Sequence, residues 1–228
     1  MNLTLFLPLC GRLDFWSGSL SHFLANQYWV HQSIKLVFCD TSGDEKFGEI
    51  LKEWLRKSDY PNHEYIKLDC QKPTNGIELN TLCCDIYNIA ARISESTLYT
   101  WIVEDDTIPP LNAGPRLVSY FDDTVGSCSG VYRHKIETKR FMVWNTKNYK
   151  LLKEHEGVHE VLGTGFGCVL MRSSIIHNYI FKQSDETYVD SKKKKQVFCY
   201  DHQFWDQVKM RKLVDWSVKC KHLGIREW

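Results

Sequence analysis

The first hundred residues alternate two kinds of apolar pattern, and this alternation limits the possible folds more than any other feature of the chain. Leu3–Leu9 is a short apolar run closed by Cys10-Gly11-Arg12. Residues 17–30 then carry Leu20, Phe23, Leu24 and Tyr28 at helical spacing. Residues 34–39 form a second apolar run, closed by Asp40-Thr41-Ser42-Gly43. Phe47, Ile50, Leu51, Trp54 and Leu55 make a second helical stripe, which Pro61 stops. A third short run covers residues 65–68, and Leu82, Ile86, Ile89 and Ile93 make a third stripe before the run 98–103. Short apolar runs bounded by turn residues read as buried strands, and stripes of period 3.6 read as helices. Strand and helix in strict alternation predict a parallel α/β sheet joined by right-handed crossovers.

The fourth run ends in Glu104-Asp105-Asp106, and Pro109-Pro110 follow, which continue neither a ladder nor a helix. Three adjacent like charges repel one another. They are tolerated in water or beside a cation, and hard oxygen ligands suit Mg2+ or Mn2+ that also holds a substrate phosphate. A solvated acidic turn is the alternative. Parallel sheets bind ligands outside the carboxyl ends of their strands. Strand order puts Gly11-Arg12, Asp40 and the three acids on one such rim, which favours a site over a plain turn.

The second half is less regular. Residues 126–132, 140–144 and 213–218 read as strands, and residues 147–157 as a polar loop or short helix. Gly163-Thr164-Gly165-Phe166-Gly167 is a glycine-rich turn that runs into a strand and not a helix, so it is no dinucleotide fingerprint. Such a turn lets a substrate approach the backbone closely. Ser173-Ser174 reads as an N-cap pair, and Asp201 lies near the start of a later helix, where Asp is also a favoured cap. The run Lys192-Lys193-Lys194-Lys195 is either a solvated loop or an anchor for an anionic acceptor.

Composition narrows the field. The chain has 228 residues, 43% hydrophobic and 25% charged, enough for one large domain with no need of a metal or disulfide staple. A net charge of +1 gives no overall pull towards nucleic acid or a membrane surface. No run is apolar enough to cross a bilayer, and the opening residues read as a first strand and not a signal core. Nine scattered cysteines without a C-x-x-C pair argue against a zinc knuckle and suit a reducing cytoplasm.

The order of these features, over about residues 3–222, resembles the GT-A glycosyltransferases, and most of all the family-2-type nucleotide-sugar transferases. The resemblance implies a single α/β domain over 1–228, with a mostly parallel, Rossmann-like central sheet flanked by helices and an irregular acceptor-side second half. About 1–110 would bind the nucleotide sugar, and about 111–228 would bind the acceptor and carry catalysis. Glu104-Asp105-Asp106 resembles the D-x-D element, with Glu in place of the first Asp. Glu104 and Asp105 would then face the nucleotide, and Asp106 would hold the metal with His222 completing its shell. Pro8, Cys10 and Arg12 resemble the first loop beside the base, and Asp40 the acid that contacts it. Asp201 resembles the catalytic base, although Tyr200 precedes it where an acid is usual. Gly163, Thr164, Gly165 and Phe166 fall on the acceptor side.

The implied activity is transfer of a hexosyl group from a nucleotide-diphosphate sugar, UDP-sugar favoured, to an acceptor hydroxyl. It would need Mn2+ or Mg2+ and invert the anomeric centre. A saccharide, a protein and a hydroxymethylated DNA base stay open as acceptors, and no membrane partner is expected. A nucleotidyltransferase and a non-catalytic sugar-nucleotide-binding module are the competing classes.

Overall fold

Neighbouring residues of the first strands point to opposite faces of a sheet, and both faces are covered. Leu3, Leu5, Leu7, Leu36, Phe38, Trp101 and Val103 enter one buried cluster, while Phe6, Val37, Cys39 and Ile102 enter another. This is the period of two expected of a strand, with apolar residues at both phases because the sheet is a central layer. The computed structural model describes residues 2–27, 34–137, 139–183, 187–189, 195–197 and 199–224.

In chain order the strands of the front half are β1 (Leu3–Leu9), β2 (Ile34–Asp40), β3 (Asn62–Lys67), β4 (Tyr99–Val103) and β5 (Thr107–Ile108). The back half adds β6 (Val125–Val131), β7 (Val143–Trp144), β8 (Val158–Glu160), β9 (Gly163–Thr164) and β10 (Cys168–Arg172). It ends with β11 (Thr187–Val189), β12 (Lys195–Val197), β13 (Arg211–Lys219) and β14 (Lys221–His222). The α-helical segments are α1 (Leu13–Phe15), α2 (Ser21–Ala25), α3 (Glu45–Lys57), α4 (Gly76–Ile93), α5 (Ala113–Val118), α6 (Ser173–His177) and α7 (Tyr200–Gln207).

Eight strands form the main sheet in the order β3-β2-β1-β4-β10-β6-β13-β8. β1 pairs in parallel with β2 and β4, β2 with β3, and β6 with β13. β10 runs antiparallel between β4 and β6, and β8 runs antiparallel along the outer edge of β13. The strand–helix alternation therefore gave the front half correctly, and the sheet is mostly parallel as expected. No described helix is long and apolar enough to cross a membrane.

Caps fix where the long helices begin. Asp44 accepts from the backbone N–H of Lys46 and Phe47 at 2.9 and 3.4 Å and starts α3. Asn75 accepts from Ile77 and Glu78 at 3.0 and 2.9 Å, and the Glu78 carboxylate reaches back to the Thr74 N–H at 2.7 Å. Each such cap is worth about 1 kcal/mol.

Three local expectations change. The serine pair does not cap α6: the helix begins at Ser173, whose buried hydroxyl instead meets Thr100 Oγ1 at 2.8 Å. The first helical stretch starts earlier than residue 17, at Leu13, passes through a π-helical turn at Trp16–Leu20 and ends at Ala25. Residues 147–157 contain no helix.

Candidate active site

The strand β4 stops because the next three residues fold into a turn. Glu104 N–H donates to the Gly167 carbonyl at 3.1 Å, and Thr107 N–H returns to the Glu104 carbonyl at 2.9 Å. The three acids take different sets of partners, although Asp105 and Asp106 share Arg12. Glu104 accepts from the Tyr87 hydroxyl of α4 at 2.7 Å. Asp105 turns to the first loop, where it accepts from Cys10 N–H at 3.0 Å, from the Cys10 thiol at 3.2 Å, and from Arg12 through both Nε and Nη2. Asp106 accepts from Arg12 Nη1 at 2.9 Å and Lys135 Nζ at 2.5 Å, and lies 3.5 Å from His222 Nε2.

Asp105 and Asp106 are each only 5% exposed, so their charge must be met by the protein. Burying an uncompensated carboxylate costs several kcal/mol. Burial pushes the Asp106 carboxyl up, but His222, Arg12 and Lys135 outweigh it and hold the group well below the usual carboxylate range. From cationic groups Glu104 has only the weaker pull of His222 to lower it. Burial first, and the Asp106 charge second, raise its carboxyl, against the opposing Tyr87 hydrogen bond.

Glu104 and Asp106 open onto a cavity of about 320 Å³. Its wall also includes Lys135, Gly165, Asp201 and His222. Tyr132 organises this wall. Its hydroxyl accepts from Gly167 N–H at 3.0 Å, and its ring meets the His222 ring edge-on at 5.2 Å. A Cβ at Gly165 would run into the Tyr132 hydroxyl, and one at Gly167 would come within 2.6 Å of the ring. These glycines are therefore needed for close approach. His222 is fixed from its far side, where Nδ1 meets the Arg133 carbonyl at 2.5 Å. The C-terminal segment that carries it is clipped on by β14 pairing with β5 and by Leu223 N–H donating to the Asp106 carbonyl at 2.6 Å.

Asp201 is the second residue of α7 and not its cap, which is Cys199. Its Oδ1 accepts from the N–H of His202 at 2.8 Å, so Oδ2 is the oxygen left for a substrate in the cavity. Tyr200 beside it stacks on Tyr87 with centroids 5.0 Å apart.

The remaining expected residues fall elsewhere. Asp40 lies at the end of β2, wholly buried. Its oxygens accept from Ser42 N–H at 2.8 Å, Tyr65 Oη at 2.6 Å and Lys67 Nζ at 3.0 Å. Pro8 pairs inside β1 with Cys39. Gly163 and Thr164 form β9 and pair with β7, while Gly165 and Phe166 reach the cavity. Trp144 and Phe166 are buried, as packing residues are. His159 and Glu160 sit on the exposed edge strand β8. Of the lysine run 192–195, only Lys195 falls within the described residues.

The sequence reading missed Tyr87, Tyr132 and Lys135. The two tyrosines sit at apolar-looking positions within a helix and at a strand end. Lys135 belongs to the polar stretch Arg133-His134-Lys135, whose one signal was charge just after a strand.

No protein-family model matches the chain, and no curated protein matches it by sequence. Solved structures do match. A mannosyltransferase from Pyrobaculum calidifontis, in complex with GDP-Man and Mn2+, superposes with a TM-score of 0.66 at 12% identity. That match covers 100% of this chain and 58% of the mannosyltransferase. Residues 1–349 of S. aureus TarS, in complex with UDP-GlcNAc, give 0.61 at 12% identity over 94% of this chain and 56% of theirs. GalNAc-T7 with UDP, GalNAc and Mn2+ gives 0.58 at 8% identity over 97% and 44%. The fold is thus that of the GT-A nucleotide-sugar transferases, and the chain spans about half the length of these structures.

Proposed function

We propose that the chain is a metal-dependent glycosyltransferase that moves a sugar, of the hexosyl class, from a nucleotide diphosphate, UDP favoured, to an acceptor hydroxyl with inversion. The observation that carries this reading is the convergence of Glu104, Asp106, Asp201 and His222 on one cavity at the carboxyl end of β4. In this reading residues of about 1–110 hold the donor and about 111–228 the acceptor.

The donor set suits a hard or borderline divalent ion. Asp106 offers a carboxylate oxygen and His222 an imidazole nitrogen on the same wall, 3.5 Å apart. Asp106 and His222 would hold Mn2+ or Mg2+, which when bound offsets the charge that builds on a departing diphosphate. The chain's own residues do the rest. Asp201 Oδ2 accepts the proton of the acceptor hydroxyl as that oxygen attacks carbon 1 of the sugar. Its Oδ1, tied to the helix backbone, fixes the carboxylate plane. Asp105 holds Arg12 and the first loop in register with the acid turn. In this reading Asp201 is the single base, and a single base acting on the acceptor hydroxyl implies inversion.

Asp40 supports the base side indirectly in this reading. With its oxygens taken up, it orders Ser42 and Lys67 at the rim. A panel of sugar nucleotides, scored by release of free UDP or GDP in the presence of Mn2+ or Mg2+, tests the proposal. Slow, metal-dependent hydrolysis of at least one donor is expected. No release from any donor would leave a binding module as the better reading. Release of pyrophosphate from a sugar phosphate and a nucleoside triphosphate would favour a nucleotidyltransferase.

A further inference from the structure

The acid turn is balanced by cations of the chain itself, and the two main ones are held very differently. Arg12 is fixed. It bonds Asp105 through two nitrogens and Asp106 through a third, and its guanidinium lies 5.0 Å from the Phe15 ring centre. Among the described residues the Lys135 ammonium pairs with Asp106 Oδ2 alone, and its side chain is 50% exposed. It sits near the tip of a hairpin between β6 and β7. That hairpin is closed by the Arg133–Phe141 bridge and by His134 N–H donating to the Arg140 carbonyl at 2.9 Å. His134 Nδ1 also accepts from the N–H groups of Ile136 and Glu137, at 3.3 and 2.9 Å, which stiffens the turn around Lys135. The backbone is thus held by several bonds, while the long side chain is tied at its ammonium to Asp106. Lys135 faces the same cavity as Asp106 and Asp201.

A divalent cation that approaches Asp106 meets this ammonium on the same carboxylate: Lys135 holds Oδ2, while His222 faces Oδ1. Two positive charges added to an already balanced turn are unfavourable unless anions arrive with them. A diphosphate brings those anions, and it gives Lys135 a new partner within reach of the same flexible stem. We propose that Lys135 is a transferable counter-ion. It balances Asp106 until the donor arrives, then passes to the diphosphate oxygens as the divalent cation takes the carboxylate. Cation and diphosphate therefore bind as a pair, each strengthening the other. This rests on the donor reading given above, and it adds a donor-binding residue and an order of events to it.

The proposal makes opposite predictions for one substitution, which a purely structural role does not. Free Mn2+ is followed by its electron paramagnetic resonance signal as it is titrated into the full chain, with and without UDP. In the unaltered protein, Mn2+ alone binds weakly and UDP tightens it about tenfold or more. Lys135→Met removes the competitor, so Mn2+ alone binds several-fold tighter, while the strengthening by UDP shrinks to a few-fold or less. Lys135→Arg keeps the charge and restores the unaltered pattern. Lys135→Met weakening Mn2+, or leaving both numbers unchanged while the unaltered protein binds the pair, overturns this inference and leaves the donor reading standing. If the unaltered protein takes up no Mn2+ even with UDP present, the donor reading fails, and this inference with it.

Discussion

The contact between Gly165 and Tyr132 gives a prediction in which structure sets both sign and size. A methyl group added at Gly165 collides with the Tyr132 hydroxyl, the rigid end of a buried ring. Overpacking of this kind costs about 1–3 kcal/mol. Tyr132→Phe alone has a different cost: it strips Gly167 N–H of the acceptor it now has at 3.0 Å, in a buried setting. An orphaned buried donor costs about 1–3 kcal/mol. The two changes relieve each other. With the hydroxyl gone, the nearest remaining ring atom is Cζ, 3.2 Å from the added methyl, which is tight but not a collision. The double variant Gly165→Ala/Tyr132→Phe is therefore more stable than the sum of the single losses predicts, by about 1 kcal/mol or more. Urea midpoints of the four proteins measure this. Losses that add to within about 0.5 kcal/mol would refute the claim that this hydroxyl shapes the cavity wall.

Two other perturbations test separate parts of the molecule. Asp201→Asn should lower turnover by about 10²–10⁴-fold, as expected for loss of a general base, while UDP binding stays unchanged in a calorimetric titration; equal loss of binding would assign Asp201 to the donor instead. Arg116→Met removes the cation that donates to the wholly buried Asp215 at 2.5 Å, and Tyr120 and Ser217 still donate to it. Arg116 is 45% exposed, so solvent screening keeps the loss of stability small, read as a modest fall in the urea midpoint. Burial raises the Asp215 carboxyl, but Ser217, Arg116 and Tyr120 together hold it below its ordinary value. Stability from a lowered carboxyl is fully present above the unfolded value near about 4 and is lost as pH falls through the folded one. With Arg116 gone the folded value rises towards the unfolded one, so the part of stability lost in acid shrinks and is exhausted at a higher pH. Matching urea-midpoint profiles from pH 7 to pH 3 would contradict the assignment.

The front of the molecule was legible because its sequence obeys local rules. β1, β2 and β4 are apolar at both phases, as strands covered on both faces must be, and α3 shows a clean stripe ending before Pro61. The position of β10 was not legible. It slots between β4 and β6, strands that precede it by many residues, and nothing in residues 168–172 announces which neighbours it takes. The acid turn was visible as three adjacent carboxylates, but their partners were not, since Tyr87, Cys10 and Lys135 come from three distant segments. Asp40 shows the limit of reading a rim from strand order. It lies at the expected strand end, yet its side chain turns inward to Tyr65 and Lys67.

The most direct test is a calorimetric titration of UDP into the chain with and without Mn2+, repeated on Asp106→Ala. The account predicts binding that needs the divalent ion and disappears when the Asp106 carboxylate is removed. Binding of the same strength in both proteins, or none of UDP or GDP under any metal, would contradict it.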